Sequence, residues 1–201
     1  MIDTKRNTLL RGLAANLAVL FLAAALAAQT PSTPAQNAPA PAPQPAAGQK
    51  PDWMSYSYPE DGFTVSFPVP PELAKHSVPT DAGTFELRTY LGEVASSALY
   101  VGVCDYGSAV SGRDPQTVLD GAQNGALTNV KGHLVSGKKI TLGIYPGLAF
   151  EAENDTMHFT AHIFLVGTTL YQTLTAAPIA TPYPDTTRFL DSFQLIARAA
   201  K

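Results

Sequence analysis

The stretch Leu148-Ala149-Phe150-Glu151-Ala152-Glu153-Asn154-Asp155-Thr156-Met157-His158-Phe159-Thr160-Ala161-His162-Ile163-Phe164-Leu165-Val166-Gly167-Thr168-Thr169-Leu170-Tyr171-Gln172-Thr173-Leu174-Thr175 decides the fold. Its apolar residues recur at period two, and two turn signals, Asn154-Asp155 and Gly167-Thr168, cut the run into three strands. A two-residue turn at Asn154-Asp155 sets Ala152 opposite Met157, Phe150 opposite Phe159 and Leu148 opposite Ala161. It also sets Glu151 opposite His158. A two-residue turn at Gly167-Thr168 sets Leu165 opposite Leu170, Phe164 opposite Tyr171 and Ala161 opposite Leu174. Both registers put the same apolar set on one face, and a one-residue slip in either would invert it.

Working outward, the same pattern extends upstream. Trp53–Ser57 and Phe63–Phe67 flank the turn cluster Pro59-Glu60-Asp61-Gly62. Leu73–Val78 faces Phe85–Leu91 across Thr80-Asp81-Ala82-Gly83, and Leu99–Tyr106 alternates again. From Arg113 to Asn129 the period becomes helical: Asp114 can cap, Pro115 suits the first turn, and Val118, Leu119, Ala122, Ala126 and Leu127 share a stripe. Asp185–Asp191 reads as a second, short helix. Strands that pair antiparallel, with helices laid against them, define an α+β domain over residues 53–196, followed by a short tail, 197–201.

Residues 1–28 read as a signal peptide. Lys5, Arg6 and Arg11 supply the positive start, Leu13 to Ala28 the apolar run, and Ala25-Leu26-Ala27 the small residues at the cleavage site. The alternative is an uncleaved anchor over residues 13–28, which at 16 residues is shorter than the ~20 that span a bilayer. Residues 29–52 form a linker; within it, residues 31–51 hold seven Pro and six Ala, too little apolar bulk to offset the entropy of folding. The chain is thus expected to be exported, periplasmic or secreted. Beyond residue 28 it carries 10 basic against 15 acidic side chains, which argues against a nucleic-acid partner needing a basic surface. A lone Cys104 rules out an intramolecular disulfide and any zinc site built from several cysteines.

The order of motifs along residues 53–196 resembles the Mog1/PsbP-like superfamily, especially its exported bacterial members. The resemblance rests on Tyr58-Pro59-Glu60-Asp61-Gly62-Phe63-Thr64-Val65-Ser66-Phe67-Pro68 and on Tyr145-Pro146-Gly147 before a strand. It continues with Phe164-Leu165-Val166-Gly167-Thr168-Thr169-Leu170-Tyr171 and closes with Arg188-Phe189-Leu190-Asp191-Ser192-Phe193. It implies an antiparallel sheet of about six strands flanked by helices. That family includes binders of photosystem subunits and of a small GTPase, so the fold does not fix a function. It carries over no catalytic residue.

The remaining chemistry is sparse. His158 and His162 stand two pleats apart on a strand, about 13 Å, too far to share one ion. Glu151 beside His158 is expected to be a polar cross-strand pair. A hydrolase or metal-dependent enzyme centred on Glu151, His158 and His162 is the rival reading, and a small-ligand carrier a further one. Cys104 lies mid-strand among apolar residues, as a buried free thiol does. Gly132–Lys139 nearly spells a phosphate-binding loop but ends in Lys139 where a hydroxyl must reach magnesium, and no helix follows. Asn154-Asp155-Thr156 fits a glycosylation sequon and is read as a turn. The expected partner-binding surface is the second face of the meander: His162, Phe164, Tyr171 and Thr173, with Thr160 and Thr175 beside them. Aromatic area and hydroxyls together suit an envelope protein or a small ligand, unless the helix at Asp185–Asp191 covers Phe164 and Tyr171. No cofactor, metal or catalytic residue is expected, and a membrane is expected only through an uncleaved N-terminal segment.

Overall fold

The computed structural model describes residues 52–80 and 83–198, so the expected signal peptide and nearly all of the expected linker lie outside the described residues. Ten strands follow one another: β1 (Met54–Tyr58), β2 (Phe63–Phe67), β3 (Glu72–Thr80), β4 (Gly83–Val94), β5 (Ser97–Asp105), β6 (His133–Leu142), β7 (Tyr145–Glu153), β8 (Met157–Val166), β9 (Thr169–Pro178) and β10 (Gln194–Leu195). Helix α1 (Pro115–Val130) lies between β5 and β6, and α2 (Thr186–Asp191) precedes β10. Seven strands form an antiparallel sheet in the order β3-β4-β5-β9-β8-β7-β6, and β1-β2-β10 form a separate small sheet. The expectation of one sheet of about six strands is therefore corrected. There are two sheets, with α1 on β7 and β8 of the larger one and α2 on β8, β9 and β2.

The local chemistry behind these elements is direct. The Asp114 carboxylate accepts the Thr117 N–H at 2.9 Å and Pro115 opens the helix, as the sequence suggests. The helix ends where Lys131 turns left-handed and Gly132 N–H reaches back to the Leu127 carbonyl. The Gly167-Thr168 hairpin has the expected register, with Leu165 opposite Leu170 and Phe164 opposite Tyr171. The Asn154 hairpin is displaced by two residues: Ala152 faces Phe159, and Glu151 faces Thr160. The Asn154 side chain causes this. Its Oδ1 accepts the N–H groups of Thr156 and Met157, closing a longer loop than two residues. Its Nδ2 donates to the Val130 carbonyl at 2.9 Å, tying the loop to the end of α1. A slip of two keeps every side chain on its face, so the apolar pattern could not reveal it.

Two cores result. On one face of the large sheet, α1 packs over β7 and β8, with Leu119, Ala122 and Ala126 against Leu148, Phe150, Phe159, Ala161 and Ile163. On the opposite face the small sheet and α2 cover Leu99, Val101, Val103, Phe164 and Tyr171 with Phe63, Val65, Phe67, Phe189 and Phe193. Gly147 lets this second core close. A Cβ there would stand 2.5 Å from the Phe164 ring, so the ring lies flat on bare backbone. Among the described residues no helix is long and apolar enough to cross a membrane.

Candidate functional site

Three rows of side chains cross β6, β7 and β8 on the face opposite α1, and they grade from polar to apolar. The first row is Ser136, Glu151, Thr160 and, on β9, Thr175. The next is Lys138, Ala149, His162 and Thr173. The third is Ile140, Gly147, Phe164 and Tyr171. The small sheet settles on the apolar end. Phe164 stacks on Phe193 with centroids 6.2 Å apart, and Phe63 and Tyr171 pack against the same Phe193 ring. Phe164, Tyr171 and Thr173 are consequently buried and present no surface to a partner. The covering element is mainly the small sheet and the segment after α2, with α2 itself on β8 and β9.

What stays open is the polar end. Helix α2 is held over β9 by Phe189 and Leu190, and by the Thr175 hydroxyl donating to Thr186 Oγ1 at 3.2 Å. With only six residues it roofs the first two rows without closing on β6 and β7. A cleft of about 520 Å³ is left between them. Ser136, Lys138, Glu151, Thr160 and His162 form its floor, and Thr186, Thr187 and Asp191 its roof. Of the residues expected to face a partner, His162 alone lines this cleft, with Thr160 beside it.

His162 is half-buried, and burial holds its imidazole below the ordinary histidine range, helped by Lys138 and opposed by Asp191. Glu151 accepts from the Ser136 hydroxyl at 3.3 Å. It does not meet His158. The displaced hairpin brings His158 opposite Glu153 instead, with Nδ1 3.0 Å from Oε1. The expected Glu151–His158 pair is therefore corrected to Glu153–His158. Glu151 and His162 line one cleft while His158 stands outside it, and among the described residues no three His, Cys, Asp or Glu are grouped to hold a metal ion. Cys104 is fully buried, and burial pushes its thiol up to about 11. Residues His133–Lys139 are extended in β6, with Gly137 paired to Phe150, so no phosphate-cradling loop exists there.

A second polar cluster was not legible beforehand. Asp61, at the tip of the β1–β2 hairpin, is buried, and Arg88 Nε lies 2.5 Å from its Oδ1. The Tyr90 hydroxyl donates to Asp61 Oδ2, and the Tyr171 hydroxyl donates to the Asp61 carbonyl at 2.7 Å. Burial works to lower the Arg88 guanidinium, yet the Asp61 carboxylate, with Glu86, holds it above its usual range. Burial, then Asp61, pushes the Tyr90 phenol far up. Arg198 caps the group from the C-terminal segment, donating to Thr169 Oγ1 and the Tyr171 hydroxyl at 3.0 Å each. The one available signal was Arg88, a charge in step with Tyr90 on a buried face, which demands an opposite charge nearby. The cluster is a clasp between the two sheets.

No family model matches the sequence, and no curated protein matches it. The fold has a solved counterpart: it is PsbP-like. The solution structure of cyanobacterial PsbP (CyanoP) from Synechocystis sp. PCC 6803 superposes with a TM-score of 0.53, over 76% of this chain and 97% of that one, at 11% identity. At that identity the likeness concerns the architecture alone.

Proposed function

We propose that this chain is an exported, non-enzymatic binding or assembly module of the periplasm or cell envelope, taking its ligand in the cleft between α2 and strands β6 to β8. The cleft carries the reading. Its volume of about 520 Å³ lies within the range of small-ligand sites, and its lining offers hydroxyls, an imidazole and charges of both signs. Such a lining holds a ligand by hydrogen bonds and ion pairs. The signal-like residues 1–28 support the cellular setting. The size of the cleft also favours the rival reading of a small-ligand carrier.

The test is capture from envelope extracts with two baits, the natural sequence and Thr187→Trp, which narrows the cleft from its exposed roof. A partner held by the first bait and lost by the second is the expected outcome. Equal capture by both removes the cleft from the reading. Export is tested by mass spectrometry of the natural protein, which is expected to begin near Ala28; Met1 retained in the membrane fraction supports an anchor instead.

A further inference from the structure

The cleft is bordered by charges of both signs. Lys138 rises from β6 on the floor, Glu151 stands one row away on β7, and Asp191 hangs from α2 on the roof. Among the described residues none of the three belongs to an ion pair, and Glu151 has only the Ser136 hydroxyl. Lys138 and Asp191 both act on His162, with opposite sign, so the imidazole lies within the field of each. Opposite charges that border one cavity without joining leave a polarised gap. A simple anion entering it meets Lys138 but also two carboxylates. A simple cation meets those carboxylates but also the ammonium. A molecule with both charges satisfies all three groups at once.

We infer that the cleft binds a small zwitterion, with an ammonium and a carboxylate at the two ends of a short chain, as in a short peptide. This rests on the cleft being the binding site. The carboxylate pairs with Lys138, and the ammonium pairs with Asp191 and Glu151. Between them the hydroxyls of Thr160 and Thr187 serve the peptide groups, since a hydroxyl both donates and accepts. The charged groups at both walls are solvent-exposed or half-exposed, so binding is weak and falls with salt.

The experiment is an NMR titration of the isotope-labelled chain with triglycine, N-acetyl-triglycine and triglycine amide. Saturable shifts at Thr160, His162 and Thr187 are expected with triglycine. Each blocked form should bind about fivefold more weakly, the scale of one exposed ion pair, and so should triglycine with Lys138→Ala or Asp191→Asn. Both substitutions are at exposed positions, which leaves the fold intact. No saturable shift with triglycine, or equal binding of the blocked forms, overturns the inference. If triglycine fails while Thr187→Trp still abolishes capture from extracts, the zwitterion is wrong and the cleft remains a binding site. If both fail, the cleft reading falls too.

Discussion

The two faces of the seven-stranded sheet are closed by different means. Toward α1 the contacts are mostly aliphatic and small, with Ala122, Ala126, Ala152 and Ala161 letting helix and sheet approach closely. Toward the small sheet they are mostly rings, and an ion pair between buried Asp61 and half-buried Arg88 sits among them. Neither cover shares a strand ladder with the large sheet: nine residues separate β5 from α1, and four separate β2 from β3. Both seats are therefore made chiefly by side chains. Rings supply area in a few residues, and Asp61 with Arg88 supplies direction. The lesson is that the sheet-on-sheet joint carries the more directional contacts, while the helix joint rests on close aliphatic packing.

The contrast can be broken first by deleting a ring. Phe63 is fully buried and touches Tyr58, Tyr90, Tyr171 and Phe193, so Phe63→Ala should cost about 4 kcal/mol in urea unfolding. Leu119→Ala, beneath α1, should cost about 3 kcal/mol. A reversed order would show that the helix face is the more demanding joint. Next, Arg88→Ala should cost about 3 kcal/mol because it strands the buried Asp61 carboxylate. Arg88→Met combined with Asp61→Asn should recover much of that loss; failure to recover would mean that the pair seats the sheet by more than charge balance.

The sequence showed the apolar rhythm of both faces but not how the second face is partitioned. Phe63, Val65 and Phe67 alternate in a way that fits any sheet, so nothing local distinguishes a separate small sheet from an edge of the large one. Strand β6 was missed because Ser136-Gly137-Lys138-Lys139 is polar on both sides and exposed, which leaves no period to read. The cleft follows from the shortness of α2 and from a hairpin slipped by two residues. Neither leaves a mark on hydrophobic patterning. The place of His162 on the second face was legible from the period; that Lys138 and Asp191 border the same cleft was not, because they come from elements whose mutual placement only the tertiary fold decides.

Smaller effects sharpen the same comparison. Asn154→Ala removes the side-chain acceptor that sets the hairpin loop and the donor to Val130, and should cost about 1 kcal/mol by thermal unfolding. A loss near zero would mean that strand pairing fixes the register without the loop. The smallest expected effect is a pH dependence from His162. Burial lowers its folded pKa, so the unfolded chain takes up the proton first. Stability is untouched above about pH 6.5, falls as pH drops through that value, and the penalty is complete below the lowered folded pKa. His162→Gln should flatten that part of the profile relative to the natural chain. An NMR midpoint for His162 at or above the free-histidine value would contradict it.

The position of β9 has a consequence for timing. It is the next-to-last strand in the chain yet lies between β5 and β8, in the middle of the large sheet. Until it arrives, β3-β4-β5 and β6-β7-β8 are two unconnected meanders, each with raw edges. The small sheet waits longer still, because β10 pairs with β2 across most of the domain's length. Local structure can form early, but cooperative closure demands nearly the whole polypeptide, since the decisive contacts are also the most distant in sequence. A ribosome-bound chain therefore stays open until nearly all of it has been made, a latency set by the place of one strand in the sheet order.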